Sequence, residues 1–485
     1  MDQVLNLLLH FFTLALSLTI SLLLHHAVAT SSAYSSTILH ITPSLHQAQE
    51  VLSFNPIPTL QQKAQFNRVQ TTSSSFSLSL HPRDSIFNPQ HNDYQTLVRS
   101  RLHRDSARLN VIINNFNRQL NKSALDSRCR SKNFSAPITS GLNQNMGEYF
   151  TRIGVGQPAK QFYMCLDTGS DVSWIQCHPC IHCYKQSDPI FDPTKSSSYR
   201  PLTCKAQQCK EQETISCNNN TCQYYVMYGD GSLTAGDFIT ETVSFGSTGS
   251  MNRVAIGCGH FNTGLFIGSA GILALGSGKL SFNYQIKAKS FSYCLVNRDS
   301  HKSSTLEFNS PRPADSLTTQ LLNNPKQKIF YYVGFTAINV GGQNVAIPRS
   351  TFEFDKEGMG GMIIDSGTTV TRLQTQAYKL MRDMFVSFTQ DFKRAHGPPL
   401  FDTCFDFSGL SDVVVPTVSF QVSDGRLWTL PAENYLISVD KNGTYCFAFA
   451  PSFFPLSILG NIQQQGTRIS FDLENSIVGF SPQKC

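Results

Sequence analysis

The sequence contains the same short pattern twice, and this duplication limits the possible folds more than any other feature. In Met164–Ile175 an apolar run leads into Asp167, a hydroxyl residue, a glycine and then alternating polar and apolar residues. Met362–Leu373 repeats this order around Asp365, 198 residues later. A single Asp-Ser/Thr-Gly triplet occurs by chance in roughly a fifth of chains of this length, but two copies in matching strand patterns are a strong signal. The sequence therefore predicts two similar lobes, each with an aspartate at the end of a buried strand.

The two aspartates predict a shared chemistry. The glycine after each aspartate allows a sharp turn, which places each carboxylate at the mouth of a loop. If the lobes face each other, the carboxyl groups meet at their interface, and like charges that close hold one proton between them across the acidic range. One carboxylate can then deprotonate a water while its protonated partner donates to a peptide carbonyl oxygen. We assign Asp167 and Asp365 as the catalytic pair and expect no metal, no cofactor and no covalent enzyme intermediate.

At these residues the chain resembles the pepsin-like aspartic endopeptidases, and more narrowly the plant nepenthesin-type branch that includes the guard-cell aspartic proteases. The resemblance extends from about Gly147 to Cys485. It implies an all-β, bilobal fold with pseudo-twofold related lobes, short helices and an active site in the cleft between the lobes. The implied function is acid-active hydrolysis of peptide bonds in proteins. The expected division is a signal peptide at 1–29, a propeptide at 30–138, and catalytic lobes at 139–325 and 326–485.

The resemblance also implies how the carboxylates are held. The Ser170 and Thr368 hydroxyl groups are expected to donate hydrogen bonds to the outer carboxylate oxygens. The backbone N–H groups of Gly169 and Gly367 are expected to fix the orientation of the carboxylates.

A second substrate-binding element is expected after the first aspartate. Tyr224–Ser232 is typical of a strand that enters a tight Asp-Gly hairpin turn. By resemblance it is the flap that closes over bound substrate and excludes water, with Tyr228 as the flap tyrosine and Trp174 holding its hydroxyl group. An ordinary exposed hairpin is the alternative interpretation.

One position departs from the family pattern. Ala270–Gly276 corresponds to the strand that runs beneath the first aspartate loop, and Ala274 stands where a glycine is usual. The second lobe keeps its glycine at Gly460. A methyl group at Ala274 is therefore expected to crowd the first loop slightly.

Fourteen cysteines indicate an oxidising compartment. Cys177–Cys183, with two histidines, also fits a metal site, but thiolates rarely stay reduced in the secretory pathway, so disulfides are favoured. Spacing alone leaves the connectivity open. The resemblance implies six pairs: Cys177 with Cys180, Cys183 with Cys258, Cys204 with Cys222, Cys209 with Cys217, Cys294 with Cys485, and Cys404 with Cys446. Cys165 and Cys129 are left over.

The start of the chain predicts secretion. Val4–Leu24 is almost wholly apolar and is followed by Ala27-Val28-Ala29, which together indicate a signal peptide. The same stretch is long enough to act as an uncleaved membrane anchor, which is the alternative. Four glycosylation acceptors, Asn121, Asn133, Asn219 and Asn442, agree with the secretory pathway. We expect secretion to the apoplast, with the endoplasmic reticulum or the vacuole as alternatives.

The positive charge of the chain lies in its first third. Residues 30–135 contain twelve Lys/Arg and five Asp/Glu, a net charge of +7, which exceeds the +6 of the whole chain. The remainder is therefore nearly neutral, and no nucleic-acid partner is expected. Between Tyr94 and Leu120 the apolar residues recur at helical spacing with five arginines interleaved. We interpret this segment as a propeptide helix that packs on the enzyme and lays its charges near the acidic cleft; a solvated basic helix is the alternative.

Two rival functions belong to other classes. Several plant proteins of this fold inhibit glycosidases or act in recognition, which makes a catalytically weak or inactive inhibitor or recognition protein the main alternative. A redox or metal protein built on the cysteine pairs is the third. Because both aspartates and the flap pattern are present, we favour a monomeric protease whose partners are protein or peptide substrates and its own propeptide.

Overall fold

The computed structural model describes residues 34–53, 75–86, 91–121, 149–211, 215–227, 232–245, 249–264, 266 and 268–485. The expected signal peptide, Cys129, Asn133, Tyr228 and the Asp230-Gly231 turn lie outside these ranges. We call the described residues up to Asn121 the N-terminal segment. Within the described ranges, no helix combines the length and apolar character needed to span a bilayer.

The N-terminal segment forms two strands and three helices. Their bounds are β1 Ser36–His40, α1 Ile41–Glu50, β2 Phe76–Pro82, α2 Arg83–Ile86 and α3 Tyr94–Asn121. α3 covers the helix expected from the apolar spacing.

The region around the first aspartate is built from strands. Their bounds are β3 Tyr149–Val155, β4 Lys160–Asp167, β5 Trp174–Gln176, β6 Arg200–Pro201, β7 Ile215–Asn218, β8 Thr221–Met227, β9 Leu233–Ser244, β10 Ser250–Thr263, β11 Gly271–Ala274, β12 Ser290–Cys294, β13 Ser304–Phe308 and β14 Leu317–Leu322. The short helix α4 spans Phe282–Gln285, and 3-10 turns span Val51–Ser53, Pro193–Lys195 and Gln207–Lys210.

The region around the second aspartate is also mostly strand. Its strands are β15 Tyr331–Val333, β16 Ala337–Val340, β17 Gln343–Asn344, β18 Met362–Ile364, β19 Thr371–Gln374, β20 Arg394–Ala395, β21 Cys404–Asp406, β22 Asp412–Pro416, β23 Val418–Gln421, β24 Leu427–Thr429, β25 Leu436–Ser438, β26 Thr444–Phe447, β27 Phe449–Ser452, β28 Ser457–Leu459, β29 Thr467–Asp472 and β30 Ile477–Pro482. Helices α5 Thr375–Ser387 and α6 Asn461–Gln464 and 3-10 turns at Arg349–Thr351 and Ala432–Asn434 complete it.

The two lobes repeat one strand arrangement around their aspartates. In the first lobe β4 lies parallel to β11 and antiparallel to β3, while β11 also pairs antiparallel with β5. In the second lobe β18 lies parallel to β28 and antiparallel to β15, while β28 also pairs antiparallel with β19. Asp167 ends β4 and Asp365 directly follows β18, and each of these strands is paired on both edges, which fixes the backbone at the aspartates. The expected all-β bilobal fold is confirmed.

A sheet that joins the lobes includes a strand of the N-terminal segment. Pairing runs through β3, β2, β13, β12, β29, β30 and β14. β2 pairs with Tyr149–Thr151 of β3, and β9 pairs with Gly154 and Val155, so β3 is buried along most of its length. β1 extends the second lobe by pairing with β22.

Among the described residues six disulfides are present, but four of the implied pairings are wrong. Cys177 bonds to Cys258 because β5 and β10 run parallel side by side, which leaves the more exposed Cys180 and Cys183 to pair with each other. The remaining corrections are Cys204 with Cys217 and the buried Cys209 with the buried Cys222. The pairs Cys294–Cys485 and Cys404–Cys446 are as implied. Cys165 is buried and belongs to none of these six bonds.

Candidate active site

The two aspartate loops hold their carboxylates by matching hydrogen bonds. Ser170 Oγ donates to Asp167 Oδ2 at 2.6 Å, and Thr368 Oγ1 donates to Asp365 Oδ2 at the same distance. The backbone N–H groups of Gly169 and Gly367 donate to the Oδ1 atoms at 2.9 and 3.1 Å. The structure therefore places all four expected supporting residues against the expected carboxylate oxygens.

The loops are also tied directly to each other. Ser366 N donates to Thr168 Oγ1 at 2.9 Å, and Thr168 N donates to Ser366 Oγ at 3.2 Å. Asn461 of α6 adds a bond from its side chain to the carbonyl oxygen of Ser366 at 3.0 Å. These reciprocal bonds fix the separation of the two carboxylates. In the sequence, these bonds are signalled by the hydroxyl residue that follows each aspartate.

The glycines after the aspartates are required by close approach across the interface. A Cβ at Gly169 would lie 2.7 Å from Asp365 Oδ1, and one at Gly367 would lie 2.9 Å from Asp167 Oδ1. Real Cβ atoms do not come so close to an oxygen, so each glycine makes room for the carboxylate of the opposite lobe.

An arginine of the N-terminal segment bridges the two aspartates. Arg108 of α3 donates through Nη2 to Asp167 Oδ1 at 2.5 Å and to Asp365 Oδ1 at 3.2 Å, and through Nε to Asp365 Oδ2 at 3.1 Å. All three side chains are buried. The sequence predicted basic residues near the cleft but not which of the five arginines reaches it.

The buried charges shift the pKa values in opposite directions. Burial, with the nearby Asp365 carboxylate, outweighs Arg108 and raises the pKa of Asp167 above its ordinary value. For Asp365 burial also acts upward, but Arg108 and the hydrogen bonds from Thr368 and Gly367 outweigh it and lower the pKa. Burial opposes the charge on Arg108, yet the two carboxylates raise its pKa. Asp365 is therefore the member of the pair that ionises first.

A second ionic contact lies one helical turn before Arg108. Asp105 Oδ1 accepts hydrogen bonds from the backbone N–H groups of Thr369 and Val370 at 2.7 and 2.9 Å. Its Oδ2 accepts from Arg372 Nη2. Asp105 and Arg372 are both buried. Neither was singled out from the sequence, because their roles depend on how α3 lies across the second loop.

Apolar contacts hold α3 mainly against the second lobe. Leu97, Val98 and Leu102 belong to one buried cluster that also contains Val370. Ile112 belongs to another, with Tyr332 among its members. The apolar stripe expected to pack on the enzyme does so, and it aligns Asp105 and Arg108 with the second aspartate loop.

The other expected site residues are distributed as follows. Trp174 is fully buried and packs edge-on against Phe266, with ring centroids 4.8 Å apart. β8 and β9 form the arms of the expected hairpin. Of the glycosylation acceptors, Asn219 and Asn442 are exposed, whereas Asn121 ends α3.

Ala274 fits beneath the first loop. It pairs with Asp167 in the parallel ladder and donates its N–H to Ser173 Oγ at 3.0 Å. The two carboxylates nevertheless keep matching hydrogen bonds, so the expected displacement is not seen in these distances.

A separate open cavity of about 1030 Å³ lies beside Tyr284 and Tyr332, and no residue of either aspartate loop lines it.

Comparisons with known proteins agree with this geometry. A family model described as xylanase inhibitor N-terminal matches residues 149–309, and one described as xylanase inhibitor C-terminal matches residues 330–482. Protein ASPARTIC PROTEASE IN GUARD CELL 2 of Arabidopsis thaliana is 45% identical over 418 residues, 85% of this chain and 88% of that protein. Aspartyl protease family protein 2 of the same plant is 49% identical over 420 residues, 85% of this chain and 86% of that protein. Aspartic proteinase nepenthesin-2 of Nepenthes gracilis is 40% identical over 370 residues, 74% and 84% of the two chains.

Solved structures show the same fold at lower identity. The crystal structure of edgp matches with a TM-score of 0.58 and 22% identity over 69% of this chain and 91% of that chain. Conglutin gamma, a basic 7S globulin from lupine seeds, matches with a TM-score of 0.56 and 20% identity over 69% and 92% of the two chains.

Two lobes with paired Asp-Ser/Thr-Gly loops define a pepsin-like aspartic-type endopeptidase. The chain belongs to the plant aspartic protease family, as its resemblance to the guard-cell proteases and nepenthesins predicted.

Proposed function

We propose that this chain is an acid-active aspartic endopeptidase that is made as a zymogen, with Asp167 and Asp365 activating one water and the N-terminal segment acting as intramolecular inhibitor. The proposal rests on one observation: a single nitrogen, Arg108 Nη2, lies within hydrogen-bond distance of Oδ1 of both aspartates. A nitrogen that reaches the Oδ1 atoms of both aspartates occupies the position where a shared water would bind. The same contact supports both the mechanism and its inhibition.

The mechanism follows from the charge state of the pair without Arg108. The two carboxyl groups then titrate as a unit and retain one proton in the acidic range. The ionised carboxylate removes a proton from the water, whose oxygen attacks the peptide carbon, while the carboxyl proton passes toward the carbonyl oxygen. Ser170, Thr368 and the two glycine N–H groups keep the carboxylates oriented throughout.

The N-terminal segment would inhibit in two ways, by occupying the substrate position and by placing a positive charge on the aspartates. With α3 across the second loop, Arg108 and Asp105 fill positions that a substrate would need. Arg108 also lowers the pKa of Asp365, which favours the ionised form of that carboxyl group. On this proposal residues 30–138 are removed on activation and the lobes at 139–325 and 326–485 form the mature enzyme.

Compartment and substrate belong to the same proposal. Six disulfides and two exposed glycosylation acceptors support passage through the secretory pathway, with the apoplast as destination. Because one chain supplies both aspartates, we propose that the enzyme is a monomer. Its proposed substrates are proteins. The alternative, an inhibitor or recognition protein, has in its favour the descriptions of the two family models. The intact carboxylate supports in both loops favour the protease.

Digestion of a peptide library by the acid-treated full-length protein at about pH 3 to 5 tests the function. We expect cleavage that pepstatin blocks and that Asp167→Asn abolishes. Cleavage that survives both treatments would assign the hydrolysis to another residue, and no cleavage by correctly folded protein would favour the inhibitor alternative.

A further inference from the structure

We infer that Arg372, with the backbone N–H groups of Thr369 and Val370, forms a subsite that recognises an acidic side chain of the substrate. The inference rests on the proposed function, since the subsite becomes free only when the N-terminal segment leaves. It goes beyond that function because it identifies a class of substrate and the residues that select it.

The donors converge on one carboxylate. Asp105 receives two backbone N–H bonds on Oδ1 and the Arg372 guanidinium on Oδ2. Two backbone donors on one oxygen and a guanidinium on the other form a built anion site, because charge-assisted bonds of this kind are short and directional. Every ligand comes from residues 369–372, directly after the second aspartate loop.

The occupant belongs to the part of the chain that is removed. Among the described residues, the carboxylate in contact with Arg372 is that of Asp105. Arg372 is 3% exposed, and its Nε has no hydrogen-bond partner in the described part of the chain. A buried guanidinium that loses this counter-charge is unstable unless water or another anion replaces it. Departure of α3 therefore leaves three donors that had converged on one carboxylate, and a substrate carboxylate can take its place.

The position of the site relative to the reacting bond follows from α3. Asp105 precedes Arg108 by three residues, which is an axial distance of about 5 Å along a helix. An extended peptide advances about 3.3 Å per residue. The substrate carboxylate is therefore expected within about three residues of the cleaved bond, on the side that faces Thr369 and Val370.

Paired peptide substrates test this subsite in the acid-activated enzyme. Internally quenched peptides that differ only by Asp or Asn, or Glu or Gln, are compared at each of three positions on either side of the cleaved bond. At about pH 5.5 we expect one position where the acidic peptide has a kcat/KM about 10- to 100-fold higher. The preference should fade below about pH 4, as the substrate carboxyl group takes up a proton.

Variants separate recognition from structure. Arg372→Met should remove the acid preference, Arg372→Lys should keep part of it, and Arg426→Met should leave it unchanged, because Arg426 is an exposed arginine paired with Asp424. An equal loss for acidic and neutral peptides in Arg372→Met, or no acidic preference in the unaltered enzyme, would overturn the inference.

A peptide-binding experiment tests the subsite even if the proposed protease activity is absent. If the unaltered protein hydrolyses none of the peptides, the proposed function fails, and binding decides on the subsite. The same peptides are then titrated by fluorescence anisotropy against acid-treated Asp167→Asn protein. Tighter binding of the acidic peptides that is lost in Asp167→Asn/Arg372→Met supports the subsite, whereas equal binding of acidic and neutral peptides rejects it.

Discussion

The two aspartate loops are alike in how they hold their carboxylates and different in how they meet the N-terminal segment. Each loop uses a hydroxyl group and a glycine N–H, at nearly equal distances. The first loop meets α3 through one bond from Arg108, whereas the second receives two bonds from Arg108 and also binds Asp105 through Thr369, Val370 and Arg372. The two lobes thus share the groups that orient the carboxylates, whereas most contacts with the N-terminal segment are made by the second lobe.

Replacing either aspartate should have the largest effect and should show the loops to be equal in catalysis. Asp167→Asn and Asp365→Asn each keep the side-chain shape but cannot share a proton, so we expect each to lower kcat/KM by about 10³- to 10⁴-fold. The measurement is hydrolysis of a quenched peptide at acid pH. If one variant kept substantial activity, the two loops would have unequal catalytic roles.

Replacing Arg108 should have the next largest effect and would show how much of the inhibition depends on it. Breaking a buried ion pair costs about 3–5 kcal/mol, and we expect the lower end because the two carboxylates can take up a shared proton. The uncleaved Arg108→Met chain should therefore bind labelled pepstatin at least about 100-fold more tightly than the unaltered chain. Arg99→Met, an exposed arginine of the same helix, is the matched control. Equal binding by both variants would mean that α3 inhibits without Arg108.

The pH dependence of release should come from Asp84 more than from the aspartate pair. Burial acts to raise the pKa of Asp84, but Arg101, Arg104 and Arg83 outweigh it and lower the pKa. A carboxyl group with a lowered pKa stabilises the folded segment, from which Arg101 also reaches Asp299, above its ordinary pKa of about 4 and loses that contribution as pH falls. Asp365 acts in the same direction and Asp167 in the opposite one, so the contributions of the aspartate pair oppose each other.

Asp84→Asn should therefore release the segment at a pH where the unaltered chain stays inhibited. Asp84 accepts from Arg101 Nε and Nη2 at 3.0 and 2.6 Å, and Arg101 also donates to Asp299 at 2.6 Å. The test is pepstatin binding to the uncleaved chain between pH 3 and 7. We expect the pepstatin affinity to depend less steeply on pH in the variant, by at most about tenfold per pH unit. Glu50→Gln, at an exposed carboxylate of α1, is the control. An unchanged profile in Asp84→Asn would return the pH dependence to the aspartate pair.

Substitutions in the strands beneath the two aspartate loops should have the smallest effect. They compare how much room each loop leaves for a methyl group. A Cβ at Gly460 would lie 2.6 Å from the carbonyl oxygen of Thr369, so Gly460→Ala should destabilise the protein by about 1–3 kcal/mol. Ala274→Gly should cost only about 0.5–1 kcal/mol, through added backbone freedom. Chemical denaturation of both variants checks this order. A Gly460→Ala variant as stable as Ala274→Gly would show that the second loop has room for a methyl group after all.

Much of the site was predictable because it is local in sequence. The duplicated triplets located both carboxylates, the family resemblance implied their four supporting groups, and apolar spacing located α3. Contacts that depend on how distant parts pack were not predictable: which arginine reaches the pair, the Asp105–Arg372 contact and the bonds between Thr168 and Ser366. Four disulfide pairings were wrong for the same reason, since neighbouring strands bring Cys177 to Cys258. β1 and β2 were missed because they form by pairing with strands far along the chain.

The position of β2 has a consequence for activation. Its residues pair with β13 on one side, from Phe76 to Leu80, and with β3 on the other, from Leu80 to Pro82. Cutting the chain beyond Asn121 severs a covalent link but leaves these main-chain bonds in place. If the N-terminal segment is removed on activation, as we propose, a strand must also be withdrawn from a shared sheet, so that proteolysis and the onset of activity are separate events.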